Sequence, residues 1–264
     1  MSSQEPTTTG VRYGMVIDLD KCTGCGTCSV ACMTENNIYV LEDESDKVRS
    51  ITWLRVYRIE NGQPYPGTEI AYIPRPCMHC GHHTPCVSVC PPLATDVDKT
   101  NGIVSQIPTR CIGCRYCMAA CPYHARYFNW YDPWPLYKSH VAGMTPALNP
   151  DVSPRMRGVV EKCTFCHHRL MAAKERAYKD GQRDIPEEYY QTACTQACPA
   201  GAITFGDLNN QDHKVHQLLS ERKKDAFRLL EKLGTDPKVY YLSTREWVRL
   251  KADNDLEVPK GTGY

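Results

Sequence analysis

Sixteen cysteines in a chain of 264 residues sort into four groups of four, with none left over. The run "CTGCGTCSVAC" carries Cys22, Cys25, Cys28 and Cys32, and "CMHCGHHTPCVSVCP" carries Cys77, Cys80, Cys86 and Cys90. "CIGCRYCMAACP" repeats the spacing of the first run with Cys111, Cys114, Cys117 and Cys121. The last group is split: Cys163 and Cys166 lie in "CTFC", Cys194 and Cys198 in "CTQACP". So many thiols admit three chemistries, namely a disulfide framework, zinc sites or iron–sulfur clusters.

Disulfide frameworks belong to short secreted chains. Here the first residues, "MSSQEPTTTG", show no basic start, no apolar run and no twin arginine, so no export signal of its own is expected. Nor does any stretch approach the ~20 apolar residues that span a bilayer. Zinc held by four cysteines usually takes two CxxC knuckles, and CxxCxxC offers a third thiolate for which a tetrahedral ion has no regular use. A cubane of four irons does use it: three closely spaced thiolates wrap one face, and the fourth iron takes a ligand from elsewhere. The spacing CxxCxxCxxxCP is the bacterial two-cluster ferredoxin signature, in which the fourth cysteine ligates the other cluster. Iron–sulfur is therefore the reading, and a zinc-stapled scaffold is the alternative from another class.

Pro91, Pro122 and Pro199 directly follow the last cysteine of the second, third and fourth quartets. Proline fixes φ near about −65° and donates no hydrogen bond, which suits a chain turning away from a ligand. Met33 stands there in the first quartet, so a helical turn continuing through "ACMTENN" is expected instead. The swap rule then predicts the ligand sets. Cys77, Cys80, Cys86 and Cys121 hold one cluster, and Cys111, Cys114, Cys117 and Cys90 a second. Cys22, Cys25, Cys28 and Cys198 hold a third, and Cys163, Cys166, Cys194 and Cys32 the last.

With these motifs in the order found, "RCIGCRYCMAACPYHARYFNW", "RGVVEKCTFCHHR" and "ACPAGAITFGDLN" resemble the four-cluster iron–sulfur subunits of membrane-anchored oxidoreductases related to the molybdopterin family. Dimethyl sulfoxide, polysulfide and tetrathionate reductases, alternative complex III and the menaquinone reductase complex carry such subunits. The likeness spans roughly residues 11 to 242, and "KVYYL" is most similar to the quinone-linked members. It implies four [4Fe–4S] clusters. Relatives that replace a cysteine of the third quartet hold [3Fe–4S] there, so one such cluster stays open. It further implies a large catalytic molybdopterin-family subunit and an integral-membrane quinone-binding subunit as partners, with a multihaem cytochrome c as an additional candidate. One departure stands out: five residues, "GHHTP", separate Cys80 from Cys86 where relatives have four, and His82 and His83 there are expected as exposed loop residues.

The fold class expected is α+β: two ferredoxin-like units, a β-hairpin insertion and a C-terminal helical extension. Residues 11–40 with 158–210 form one unit from the first and fourth quartets, and 70–130 form the other from the second and third. "VRSITWLRVYRIE" and "TEIAYIP" read as strands around "NGQPYPG", making 41–69 the hairpin insertion. "GIVSQ" and "AITFG" read as short strands beside cluster loops. Residues 131–157 form a proline-rich loop with Trp134 and Tyr137, suited either to wrapping its own domain or to docking a partner. A helix is expected from "CHHRLMAAKERAYKDG" to Gly181. Another is expected over "VHQLLSERKKDAFRLLEKLG", where Val215, Leu218, Leu219, Ala226, Leu229, Leu230 and Leu233 share a face and Gly234 stops it. "STREWVRLKADN" suggests a last helix capped by Ser243 or Thr244, in an extension covering 211–264.

Lysine plus arginine (31) balance aspartate plus glutamate (30), which leaves nucleic acid without an electrostatic signal. Four cubanes, each about −2 with its thiolates, would take the formal +1 to about −7. Lys21, Arg110, Arg115 and Lys162, close to ligands in sequence, would then favour the reduced form. No dinucleotide fingerprint, P-loop or nucleophile elbow is present. The function expected is electron transfer without a substrate site, between a catalytic and a quinone-reactive subunit. A free polyferredoxin is the rival within the class. The expected place is peripheral on the membrane, on the periplasmic face.

Overall fold

The computed structural model describes residues 10–39, 51–134 and 147–254. The N-terminal nine residues, residues 40–50 with the first part of the expected insertion, residues 135–146 of the proline-rich loop with Tyr137, and the tail from 255 lie outside them. The first half of the chain contains β1 (Tyr13–Asp18), α1 (Thr27–Glu35), β2 (Arg55–Glu60), β3 (Ile70–Arg75), α2 (Pro85–Ser88), β4 (Thr95–Val97), β5 (Val104–Gln106), α3 (Tyr116–Ala119) and β6 (Tyr127–Phe128). The second half contains β7 (Val160–Glu161), α4 (His167–Lys179), α5 (Ala193–Ala197), β8 (Ile203–Asp207), α6 (Lys214–Glu221), β9 (Ala226–Phe227), β10 (Val239–Leu242) and α7 (Glu246–Asn254).

β1 is buried along its whole length because both of its faces are covered. It lies between β8, antiparallel with Ile17 opposite Ile203, and β10, parallel with Ile17 opposite Tyr241. β9 closes the sheet on the far side of β10. Met15, Ile17, Phe205 and Tyr241 face the main core, which also takes in cysteines of all four quartets. Val16 and Leu242 point the other way, onto Leu208 and Val215, and Leu218 and Leu219 of α6 pack against that group.

α1 and α5 pack together beside this sheet, and α2 and α3 pack together in the middle of the chain. Each unit thus presents two short helices that carry cysteines. The expected strand "GIVSQ" forms β5, paired with β4 from Thr95 opposite Gln106 to Val97 opposite Val104. β6 pairs with β7, tying the end of the middle unit to the strand that leads into Cys163. β2 and β3 pair antiparallel from Arg55–Arg75 to Glu60–Ile70. α4 ends at Lys179, with Gly181 at φ 68° donating to the Tyr178 carbonyl, a glycine stop as its sequence suggests.

The C-terminal extension is not helical throughout, and the single helix expected over 215–233 does not form. α6 stops at Glu221, where Arg222 ties Asp18 (2.6 Å) and Asp225 (2.9 Å). The chain then reverses so that Ala226 and Phe227 pair with Leu242 and Tyr241. Phe227 and Leu229 enter the main core, and Leu230 adopts φ 49°, which no helix interior allows. The apolar spacing fits a helix, but a sheet edge on β10 needs a partner, and pairing outweighs local period. At α7, Ser243 accepts the Arg245 N–H at 3.1 Å, while its hydroxyl and that of Thr244 donate to Asp20.

Candidate metal centres

Each CxxC knuckle places the residue before its second cysteine in the left-handed region: Gly24 at φ 72°, His79 at 46°, Gly113 at 73° and Phe165 at 53°. That conformation turns the second thiol back toward the first. Gly113 is also held by space, since a Cβ there would overlap the Gly158 carbonyl oxygen. At the two knuckles without glycine the side chains face each other, with the His79 and Phe165 rings stacked 3.6 Å apart at 14°.

The role of the prolines is equally regular. After Cys90, Cys121 and Cys198 the chain makes the same turn: Leu93, His124 and Gly201 each donate to the cysteine carbonyl at 3.2 Å. These three residues have φ 51°, 48° and 57°. Proline in the second position of such a turn sets the required φ. The turn aims the next N–H at sulfur, from Ala94 to Cys90 Sγ at 3.2 Å and from Ala202 to Cys198 Sγ at 3.3 Å. The Ala125 N–H does the same for Cys121. In the first quartet α1 runs on past Cys32 as expected, and the Asn36 side-chain amide reaches Cys32 Sγ instead, at 3.7 Å.

Two cavities collect thiols from separate quartets. One is lined by Cys22, Cys25, Cys28 and Cys198, with Val56 and Pro74 of the β2–β3 hairpin over it. The other is lined by Cys77, Cys80, Cys86 and Cys121, together with Arg126. Cys32 is gathered with Cys163, Cys166 and Cys194, whose charges all act on its thiol. Cys111 acts on Cys117, and Cys90 follows α2, which packs on the helix bearing Cys117. Neighbouring groups lie within electrostatic reach of one another in a row: Cys28 acts on Cys32 and Cys194, Cys77 on Cys163, and Cys86 on Cys117. The thiols of the two interior groups are all buried, whereas Cys25 and Cys114 in the outer groups are exposed.

No disulfide joins any of the sixteen thiols. Burial, and then repulsion between neighbouring thiolates, pushes Cys28 and Cys121 up to about 11 and Cys80 and Cys163 up to about 12. A set of such groups needs positive charge in its cavity to ionise, and loading metal there releases protons. Among the described residues no three His, Cys, Asp or Glu side chains converge tightly enough for a single ion. Four thiols around a cavity, too spread for one tetrahedral zinc, suit a cubane bound at its corners.

Of the basic residues singled out in sequence, Arg110 and Arg115 are exposed and Lys21 pairs with Asp18 at 3.8 Å. Lys162 alone is fully buried, donating to the Val104 and Cys163 carbonyls. His82 and His83 are exposed and touch each other, outside both cavities. Three buried polar residues escaped the sequence reading. His79 is 0% exposed, with Nδ1 accepting the Val104 N–H at 3.1 Å. Lys238 donates to the Gly102 carbonyl, and burial lowers it to about 8. Arg126 is 2% exposed. Its only sequence signal is a lone charge inside the aromatic run "YHARYFNW".

The chain is similar to known iron–sulfur proteins. Models of the 4Fe-4S dicluster domain match residues 68–133, and residues 21–94 with 110–202. The chain is 60% identical over 256 residues to the menaquinone reductase iron-sulfur cluster-binding subunit of Nitratidesulfovibrio vulgaris, covering 96% of this chain and 97% of that one. It is 37% identical to the Hdr-like menaquinol oxidoreductase iron-sulfur subunit 1 of Archaeoglobus fulgidus, over 87% of this chain and 82% of that one. The arsenate respiratory reductase iron-sulfur subunit of a Shewanella species is 38% identical, over 88% and 96% respectively.

Proposed function

We infer, since this chain belongs to the 4Fe-4S dicluster family, that it is the electron-relay subunit of a respiratory reductase complex and that its ligand sets cross between quartets. The observation that carries the reading is the pair of cavities in which three thiols of one quartet meet the last thiol of another. Cys22, Cys25, Cys28 and Cys198 form one ligand set, and Cys32, Cys163, Cys166 and Cys194 the next. Cys77, Cys80, Cys86 and Cys121 form a third, and Cys90, Cys111, Cys114 and Cys117 the last. Bound there, each [4Fe–4S] group accepts and returns one electron at a time.

The protein's own residues supply the rest. Buried thiols and the His79–Phe165 stack keep water from the two interior sites. Exposed Cys25 and Cys114 bring the two outer sites to the surface, where partners exchange electrons. N–H groups of Ala94, Ala202 and Val160 (the last 3.4 Å from Cys111 Sγ) favour the more negative form at three ligands. Substrate chemistry resides in a large molybdopterin-type subunit, and an integral-membrane quinone-binding subunit completes the complex. The quinone is menaquinone, as the name of the 60% identical relative supports. No helix of the described residues is long and apolar enough to cross a membrane. That fits a peripheral position, which we place on the periplasmic face.

Anaerobic affinity purification of the tagged chain from solubilised membranes tests this. The expected product is a brown complex with one large and one integral-membrane subunit, and about sixteen irons per copy of this chain, four per cubane. A colourless product with about four zincs, or a stable chain alone, would overturn it.

A further inference from the structure

Among the described residues the guanidinium of Arg126 has no carboxylate counter-ion, and the residue is 2% exposed. Burying an uncompensated guanidinium is strongly destabilising, so a charge of opposite sign belongs beside it. One edge of the side chain is held in place. Nη1 donates to Thr95 Oγ1 at 3.1 Å and to Gln106 Oε1 at 2.8 Å, two residues that face each other at the end of the β4–β5 hairpin. Thr95 in turn donates to the same Gln106 oxygen at 2.7 Å. On the other edge Nη2 is buried without a hydrogen-bond partner. It belongs to a residue lining the cavity of Cys77, Cys80, Cys86 and Cys121, and the sulfur atoms acting on it include Cys117 of the neighbouring group. Among the described residues, only the contents of those two sites are placed to satisfy both the charge and the orphaned donor.

We propose that Arg126 is the shared counter-ion of the interior Cys77/Cys80/Cys86/Cys121 cluster and the outer Cys90/Cys111/Cys114/Cys117 cluster, and that it raises the reduction potential of both. The inference rests on the ligand reading above. A fixed positive charge stabilises the reduced, more negative state, and the effect is large in a buried site. The sulfur atoms that act most on Arg126 all belong to the second and third quartets, so its effect falls mainly on that half of the relay.

The test is an EPR-monitored redox titration of the anaerobically purified complex, with Cys86→Ser and Cys117→Ser identifying the signals of the two sites. Arg126→Gln should move these two signals toward the oxidised form by at least tenfold at a given potential, about 59 mV per tenfold for one electron. The other two signals should stay in place, and Arg126→Lys should restore most of the shift. Iron loss in Arg126→Gln confined to the two sites and rescued by Lys supports the same role. Equal shifts at all four clusters, no shift, or a defect that Lys does not rescue would overturn it. A wild-type complex lacking four cluster signals would instead sink the ligand reading itself.

Discussion

Phe165 offers a test of how the interior of this fold is built. Its ring is 1% exposed, stacked on His79 at 3.6 Å and set edge-on to Phe205 at 5.2 Å. Truncating such a ring to alanine costs about 3–5 kcal/mol. Phe165 also sits at φ 53°, where a residue with a Cβ is disfavoured by about 1–2 kcal/mol and glycine is not. Phe165→Gly should therefore be more stable than Phe165→Ala by about 1 kcal/mol, although both lose the same ring. Ala173, buried in the middle of α4, supplies the control: there glycine should be worse than alanine by about 1 kcal/mol. The assay is loss of visible absorbance in guanidinium under anaerobic conditions. If the difference is carried fully into the unfolding barrier, Phe165→Gly bleaches about fivefold more slowly than Phe165→Ala. A glycine variant that bleaches as fast as the alanine variant or faster would refute the conformational argument.

Other outcomes follow from exposure and charge. Under mild oxidation the two outer sites should lose iron before the interior two, because Cys25 and Cys114 are exposed while every interior ligand is buried. Mössbauer or EPR counting during ferricyanide treatment reads the order, and simultaneous loss would contradict it. Glu35 links α1 to α4, accepting from Arg169 Nε at 2.5 Å and Nη2 at 2.7 Å, and this contact holds its carboxyl below the usual range. A lowered folded value means that its stabilisation is present above about pH 4.5 and disappears as pH falls through the folded value. Glu35→Gln should thus be less stable than the parent by about 1 kcal/mol at pH 7, and the two should converge in acid. A gap that does not narrow as pH falls below about 4.5 in metal-free protein would rule this out.

The cysteine pattern was legible in sequence because three of the four quartets are local, and the prolines after Cys90, Cys121 and Cys198 mark real turns. α4 was readable for the same reason, its apolar period and Gly181 both being local signals. What stayed hidden depends on distant partners. Leu229 and Leu230 fit a helix face, yet the open edge of β10 draws the chain back into the sheet. β10 itself, read only as a late resemblance in "KVYYL", inserts beside β1 across more than two hundred residues. His79 and Phe165 occupy left-handed positions without being glycine, so no residue type announced the turn. The burial of Arg126, Lys162 and Lys238 was equally silent, since a basic residue is ordinarily a surface residue. Only the fold reveals that cysteine sulfur lies within electrostatic reach of each.

Ligation across the length of the chain is most directly tested at Cys198, which lies 170 residues beyond Cys28 and lines the same cavity. Mössbauer and EPR spectra of the Cys198→Ser complex should show the altered cluster to be the one that Cys25→Ser also alters. The signal perturbed by Cys194→Ser should stay intact. If Cys198→Ser instead perturbs the cluster shared by Cys163, Cys166 and Cys194 and spares that of Cys25, the crossed ligand sets are wrong.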